Sequence, residues 1–147
     1  WGSINDAFGN TGGSGATLGL IIATFIVGKK NKAQYQICKM SLAPGLFNIN
    51  EPIIFGTPIV LNIYLLVPFV LVPLIIGISS YLLMYFGILP LFSGVMVPWT
   101  TPPIISGFLI GGWKVALWQL VMIIISFVVY FPFIKKIDTL SSKNENK

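Results

Sequence analysis

The sequence predicts an all-α membrane protein with about three transmembrane helices and two re-entrant helical hairpins. Its 147 residues are 55% hydrophobic and only 9% charged, with a mean hydropathy of +0.88, whereas a soluble domain carries about 25% charged residues. Uncharged runs cover residues 7–28, 52–113 and 115–134, and an apolar run of about 18 residues or more is typical of a membrane span. Prolines and glycines interrupt the apolar sequence around residues 43–58 and 90–112.

The first element is predicted to be a polar loop that enters a short apolar helix. Residues 1–17 are small, polar and glycine-rich, which indicates an extracellular or cavity-lining loop, and residues 18–28 continue as the helix. With the end of the loop included, this stretch is about 17 residues long, a short crossing. Gly15 and Gly19 have the G-x-x-x-G spacing that lets another helix approach closely. No Gly-Lys-Ser/Thr sequence follows the glycines, which excludes a phosphate-binding loop.

Lysines separate the apolar runs and predict the sidedness of the chain. They cluster in residues 29–39 and 135–147, and positive charge beside membrane spans marks the cytoplasmic side. An even number of crossings must then separate the clusters, and the strong candidates are residues 59–89 and 113–134. The two proline-broken segments are therefore predicted to be re-entrant and to meet near mid-membrane, as broken helices do in secondary transporters.

The remaining polar segments complete the predicted organisation. Residues 29–39 are expected to form an interfacial helix, and residues 138–147 a polar, disordered tail. Residues 1–140 are expected to form one membrane domain, followed by a cytoplasmic tail over residues 141–147. No basic face is interleaved with aromatics, so we expect no nucleic-acid partner. The chain has no histidine and a single cysteine, Cys38, and we expect no disulfide, no metal and no cofactor.

One carboxylate, Glu51, is the only charged residue between Met40 and Trp113. An acidic residue in hydrocarbon costs roughly 2.5–3.5 kcal/mol on insertion scales, so Glu51 must face a polar cavity or a partner. A structural carboxylate that caps the broken helix and a proton relay are two interpretations. A third is a ligand site, in which Asn48 and Asn50 supply donors and acceptors. This set suits a neutral, hydroxyl-rich ligand, because a cation site would have several carboxylates.

A tryptophan in the second broken segment is the other candidate site residue. Trp99 has two interpretations, an aromatic at the membrane interface or a residue at a re-entrant tip. At a tip its indole would offer an apolar face and one N–H donor, which matches the mixed faces of a sugar ring. Thr100 and Thr101 would add hydroxyl groups. Trp113 and Trp118 are better candidates for an interfacial belt.

Three stretches, FNINEPIIFGTPIVLN, GGSGATLGL and VPWTTPPIISGFL, resemble the membrane permease (enzyme IIC) of the bacterial phosphoenolpyruvate-dependent sugar phosphotransferase system, lactose/cellobiose family. The resemblance follows nearly the whole chain in order, and the chain resembles the carboxy-terminal third of such a permease. Residues 1–140 would then belong to its transport domain. The resemblance implies elevator-like translocation of a β-linked disaccharide of the cellobiose or lactose type, coupled to phosphorylation by a cytoplasmic IIB protein that carries phosphocysteine.

The resemblance also implies assembly and residue roles. It implies a homodimer of the intact permease, multi-pass in the bacterial cell membrane and surrounded by lipid, with a cytoplasmic C-terminus. In the family the glutamate of the Asn-Glu-Pro motif lies at the sugar hydroxyl that receives phosphate. Glu51 matches it and is expected to orient or deprotonate that hydroxyl. Trp99 matches the tryptophan at the second tip, and Asn50 is a weaker match. The histidine that the family supplies from an earlier region has no counterpart here.

The predicted site therefore has one catalytic residue, Glu51, and a set of substrate-binding residues. The binding set is Glu51, Asn48, Asn50, Trp99 and Thr100. Two other functions stay open from the sequence, an ion- or proton-coupled transporter with the same broken-helix design and a truncated remnant that inserts but binds nothing.

Overall fold

The structure, a computed structural model, describes residues 13–90 and 97–144 and contains no strand in these ranges. The helices are α1 (Leu18–Ile26), α2 (Lys32–Leu46), α3 (Glu51–Gly56), α4 (Ile63–Tyr85) and α5 (Ile105–Asn144), with a 3-10 turn at Ile59–Leu61. The predicted all-α class is confirmed. The predicted loop over residues 1–12, residues 91–96 of the second broken segment and residues 145–147 of the tail lie outside the described residues.

α4 and α5 are long and apolar enough to cross a membrane. The buried residues of α4 recur every three or four positions and so form one stripe along the helix; they are Leu65, Pro68, Val72, Ile76 and Ser80. The other apolar side chains of α4 are exposed, among them Val70, Leu74 and Ile78, which is the pattern of a helix with one face on a protein core. Asn62 caps α4 by accepting from the backbone N–H of Tyr64 at 3.1 Å, so the helix begins later than the predicted 59–89 span.

α5 reverses direction at two glycines. Gly111 and Gly112 have non-helical backbone angles, with φ +73° at Gly112. The side-chain oxygen of Gln119 lies 3.0 Å from the backbone nitrogen of Gly107 and 2.6 Å from that of Ile104, whereas twelve residues of straight helix span about 18 Å. The short arm of α5 before the glycines therefore folds back on the first turns of the long arm that follows them.

The long arm of α5 continues to Asn144, so the prediction of a disordered tail from Asp138 onward was wrong as far as residue 144. Asp138 is buried, and its Oδ1 accepts from the backbone N–H groups of Lys30 and Asn31 at 2.8 and 3.1 Å. Asn31 in turn donates to the hydroxyl of Ser141. These bonds anchor polar residues that the hydrophobic pattern alone assigns to a free tail.

α1 is a buried helix of nine residues, about 14 Å long by the usual rise per residue, and is shorter than the predicted crossing. It starts late because Gly13, Gly15 and Ala16 have positive φ angles of +85°, +79° and +50°, which helical backbone does not adopt. Its residues Leu20 and Ile21 are fully buried. α1 packs against α2 on one side and against the long arm of α5 on the other.

Of the two glycines in the predicted G-x-x-x-G spacing, Gly19 lies at the close approach of α1 and α5, whereas Gly15 precedes the helix and a Cβ there would collide with the ring of Phe69 in α4. A Cβ atom added to Gly19 would collide with the Ser126 side chain and would lie 2.5 Å from the backbone nitrogen of Phe127. We therefore expect Gly19→Ala to lower the unfolding free energy by about 1–3 kcal/mol, as overpacking does. The measurement is thermal unfolding of the purified protein. Gly77→Ala is the control, because nothing lies within 4 Å of an added Cβ there; equal midpoints for the two variants would contradict the packing argument.

α2 and α3 form an antiparallel pair whose turn lies at residues 47–50. At the turn end, a Cβ on Gly45 would approach Ile21 of α1 to 3.0 Å, and at the far end Gly56 packs against Ile37 of α2. The chain therefore runs up α2, reverses, and returns along α3. The prediction that no continuous helix spans residues 43–58 is confirmed.

The outer ends of these elements meet at one end of the bundle. The Lys136 ammonium lies 4.7 Å from the ring centroid of Tyr64 at the start of α4, and Asp138 binds the backbone just before α2. We call this the lysine end, because it holds the exposed side chains of Lys29, Lys30, Lys32, Lys135 and Lys136. These five lysines, drawn from both clusters, thus lie at the same end, as the parity argument required.

Candidate functional site

The two proline-broken segments meet at Asn48, in the turn between α2 and α3. Its side-chain nitrogen donates to the carbonyl oxygen of Trp99 at 2.8 Å and to that of Thr101 at 2.9 Å. Both amide hydrogens of Asn48 are therefore donated to backbone carbonyl groups. The left-handed backbone of Asn48, with φ +61°, is one that asparagine tolerates better than most residues. The structure thus brings the two predicted tips together through a single side chain.

Asn50 connects the same turn to the glycine-rich loop over residues 13–17. Its side chain is 5% exposed, and its Nδ2 donates to the carbonyl oxygen of Ser14 at 2.5 Å. A Cβ on Gly13 would overlap the side chain of Asn50 and would lie 2.8 Å from the carbonyl oxygen of Asn48. Only glycine at position 13 allows this close contact between loop and turn.

Glu51 is the first residue of α3 and is exposed. Pro52 follows at a position where a helix loses nothing by the missing N–H, so the Glu-Pro pair starts the short helix at the turn. Within residues 13–90 and 97–144 no hydrogen bond or ion pair engages the Glu51 carboxylate. No described residue therefore supports Glu51 as a structural cap, and the oxygens of its carboxylate are available to accept hydrogen bonds.

Trp99 and Thr100 lie on the opposite side of the Asn48 contact. The Trp99 side chain is 62% exposed, while its backbone is held by Asn48, so the indole is presented from a fixed main chain. Thr100 lies between the two carbonyl groups that Asn48 binds and is partly buried. The predicted site residues thus divide into two kinds: Asn48 and Asn50 hold backbone, whereas Glu51 and the Trp99 indole are accessible.

Sequence reasoning missed three polar residues of α5 that support this arrangement. Tyr130 and Ser126 donate to the carbonyl oxygens of Gly15 and Ala16 at 2.8 and 2.6 Å, and the Gln119 oxygen accepts from the backbone after the second tip. A signal was present, because polar residues at i, i+7 and i+11 within the uncharged run of residues 115–134 share one face of a helix.

Cys38 is fully buried in α2, on the face that packs against α1. Burial keeps this thiol in the packing between helices rather than on an accessible surface.

Comparisons with known proteins agree with this geometry. The family model described as "Phosphotransferase system, EIIC" matches residues 5–73. The chain is 46% identical over 143 residues to the lichenan permease IIC component of Bacillus subtilis (strain 168), an alignment that covers 96% of this chain and 31% of the relative. It is 41% identical over 133 residues to the PTS system cellobiose-specific EIIC component of Lactococcus lactis subsp. lactis (strain IL1403), covering 88% and 26%.

A solved structure gives the same result in three dimensions. The crystal structure of the transporter ChbC, the IIC component from the N,N'-diacetylchitobiose-specific phosphotransferase system, matches with a TM-score of 0.87 at 39% identity. The match covers 97% of this chain and 33% of that one. The chain belongs to the EIIC family of the phosphotransferase system.

This assignment agrees with the presence of two long apolar helices, because EIIC components are integral membrane permeases. The resemblance drawn from the Asn-Glu-Pro stretch and its companions is confirmed. The EIIC chain spans about a third of the length of the curated relatives it matches, 31% in the case of the lichenan permease component.

Proposed function

We propose that this chain forms the sugar-binding part of a phosphotransferase-system permease that translocates a β-linked disaccharide of the cellobiose or lactose type. The observation that supports it best is the Asn48 contact, which joins the turn before Glu51 to the backbone of Trp99. The accessible carboxylate can accept hydrogen bonds from sugar hydroxyls. The accessible indole offers an N–H donor and an apolar face for the sugar ring, and each group lies on a rigid turn.

In this proposal the α2–α3 pair is the first re-entrant hairpin and enters the membrane from the lysine end. Residues 97–112 return from the other side as part of the second hairpin, and the tips meet about midway along the long arm of α5, near Tyr130. Broken helices that meet at mid-membrane are the usual way for transporters to build a substrate site. α4 and the long arm of α5 cross the bilayer, whereas α1, about 14 Å long, covers only about half of the hydrocarbon core.

The lysine end is proposed to be cytoplasmic, because positive charge marks that side. The C-terminus would then be cytoplasmic too. A phosphorylated IIB protein would reach the sugar from this side, and the intact permease would be a homodimer in the bacterial cell membrane.

Glu51 is proposed to accept the proton of the sugar hydroxyl as its oxygen attacks the phosphorus of the IIB phosphocysteine. The O–P bond forms, the P–S bond breaks and the IIB cysteine leaves as a thiolate, while Trp99 stacks on the sugar ring. Asn48, Asn50 and Thr100 complete the site, the two asparagines chiefly by holding its backbone. Phosphoryl transfer depends mainly on positioning and charge stabilisation, and a positioned proton acceptor adds about 10²–10⁴-fold.

Binding of radiolabelled cellobiose to the purified intact permease tests this function. We expect saturable binding that unlabelled lactose competes for and that maltose, an α-linked control disaccharide, does not. Trp99→Ala should weaken binding by about tenfold, as the loss of a stacking aromatic does, whereas Trp113→Ala, at an exposed position on the turn of α5, should not. Binding that is absent, or unchanged in Trp99→Ala, would contradict the proposed site.

A further inference from the structure

Three successive backbone carbonyls of the loop before α1 each accept from a different buried side chain. Ser14 O accepts from Asn50, Gly15 O from Tyr130 and Ala16 O from Ser126, at 2.5, 2.8 and 2.6 Å. The three donor side chains are at most 5% exposed. Two of the donors lie one turn apart on α5, and the third lies in the turn that precedes Glu51.

The loop needs these donors because its own backbone satisfies little of its hydrogen bonding. Positive φ angles at Gly13, Gly15 and Ala16 prevent regular helical bonding. Among the described residues, the loop's backbone bonds run from Ala16 N to Gly13 O at 3.0 Å and from Gly19 N to Ala16 O at 3.3 Å, which leaves the carbonyls of Ser14 and Gly15 to side-chain donors. A buried carbonyl without a partner is unfavourable. The position of the loop is therefore set by the side chains that bind it rather than by its own secondary structure.

The same loop determines where α3 begins. The carbonyl oxygen of Asn50 accepts from the backbone N–H groups of Ile53 and Ile54 at 3.1 and 3.0 Å, so Asn50 is the first acceptor of the helix that starts at Glu51. Its side chain bonds to the carbonyl oxygen of Ser14, and Tyr130 bonds to the next carbonyl oxygen along the chain. A displacement of the loop would therefore move Asn50 and, with it, Glu51.

We propose that Tyr130 and Ser126 are positioning residues for Glu51. They act from the middle of α5, through the carbonyls of Gly15 and Ala16 and the side chain of Asn50, and they do not touch the sugar. This inference rests on the proposed function, in which Glu51 orients or deprotonates the accepting hydroxyl. It gives the glycine-rich loop a role as the connection between a membrane-spanning helix and the reacting group.

Tyr130→Phe in the intact permease tests the inference, because it removes one hydroxyl and keeps the ring. The assay is IIB-dependent phosphorylation of cellobiose in membrane vesicles, with kcat and KM normalised to the folded permease recovered in detergent. We expect kcat to fall about tenfold with KM changed less than about threefold, since small displacements of a reacting group act mainly on the chemical step. Ser126→Ala should act in the same direction, and it takes over the test if Tyr130→Phe does not accumulate.

The control is Ser80→Ala, which removes a side-chain hydrogen bond between two helices, away from the loop. Trp118 Nε1 donates to Ser80 Oγ at 2.8 Å between α4 and α5, and Ser80 is fully buried. We expect Ser80→Ala to lower thermal stability while normalised kcat stays at the wild-type value. A loss of kcat in Ser80→Ala as large as in Tyr130→Phe would assign the effect to general bundle stability and overturn the inference.

A double variant separates this inference from the function on which it rests. If Tyr130 acts through Glu51, Tyr130→Phe should lower kcat by less than about twofold in a Glu51→Gln background, because residues that act as one unit are not additive. Multiplicative losses would overturn the inference alone, as would a loss in Glu51→Gln with wild-type kinetics in Tyr130→Phe and Ser126→Ala. Wild-type kinetics in Glu51→Gln would overturn the role of Glu51 and the inference together.

Discussion

Glu51→Gln in the intact permease is expected to lower IIB-dependent sugar phosphorylation by at least about 100-fold, the usual contribution of a positioned base, while sugar binding weakens much less. Glutamine keeps the length of the side chain and one acceptor oxygen, so hydroxyl contacts persist. It has no carboxylate to take the proton, so the attacking oxygen stays poorly nucleophilic. Since no described residue bonds to the Glu51 carboxylate, the loss cannot be assigned to a broken structural contact among those residues.

The measurement pairs phosphorylation kinetics with equilibrium binding of labelled cellobiose. Asp138→Asn is the matched control, because it makes the same carboxylate-to-amide change at the lysine end, where Asp138 only accepts from backbone. It should leave kcat near the wild-type value. Wild-type phosphorylation in Glu51→Gln would remove Glu51 from the chemical step.

Glu51→Ala distinguishes the remaining interpretations of this residue. In the proposed function, labelled cellobiose binding should be lost or strongly weakened, because the alanine offers no acceptor. An ion- or proton-coupled transporter would instead show sugar uptake that persists without the phosphoryl donor and collapses with the ion gradient. Unchanged binding together with unchanged phosphorylation would return Glu51 to a structural role.

The sequence predicted the architecture well where composition and charge determine it. The lysine clusters and the need for an even number of crossings placed both outer ends of α2 and α5 at one end, and the contacts of Asp138 and Lys136 agree. The clusters of prolines and glycines located both breaks. The meeting of the two tips was predicted from parity together with the way secondary transporters place broken helices, and the bonds from Asn48 to Trp99 and Thr101 join the tips in the structure.

The sequence predicted less well where a polar side chain bonds to distant backbone. Asn48 and Asn50 were predicted to bind the ligand, and this stays a prediction, but the sequence did not indicate that their amide nitrogens bind carbonyl groups of other segments. The end of α5 was missed for the same reason, because Asp138 is held by residues that precede it by more than a hundred positions. Hydrophobic periodicity contains no information on such pairs, and only the folded arrangement shows which carbonyls lack helical partners.

Asn48→Asp is expected to separate the two tips and to lower sugar phosphorylation by about 100-fold, the usual scale of a misplacement near 1 Å. Aspartate tolerates the left-handed backbone of residue 48 about as well as asparagine does, so the turn itself should form. Its carboxylate, however, is an acceptor only and would face the carbonyl oxygens of Trp99 and Thr101, which now accept at 2.8 and 2.9 Å. Three acceptors without a donor repel each other, so the contact opens and Trp99 moves away from Glu51.

Asn62→Asp is the matched control for this substitution. Asn62 uses its side-chain oxygen to accept from the N–H of Tyr64 at the start of α4, and aspartate caps a helix as well as asparagine does. Its kinetics should therefore equal those of the wild type. The change from amide to carboxylate would then abolish function at Asn48, where the amide nitrogen donates, and not at Asn62, where the side-chain oxygen accepts.

Hydrogen–deuterium exchange of the purified intact permease separates a clamp from a ligand contact. If Asn48 holds the second tip, backbone exchange over residues 97–104 should rise in Asn48→Asp even without sugar, because local opening exposes the amides. If Asn48 served only the sugar, exchange in the sugar-free protein would match the wild type while binding fell. Normal exchange together with normal phosphorylation would mean that the two hairpins hold their positions without this side chain, and would overturn the role of Asn48 as a clamp.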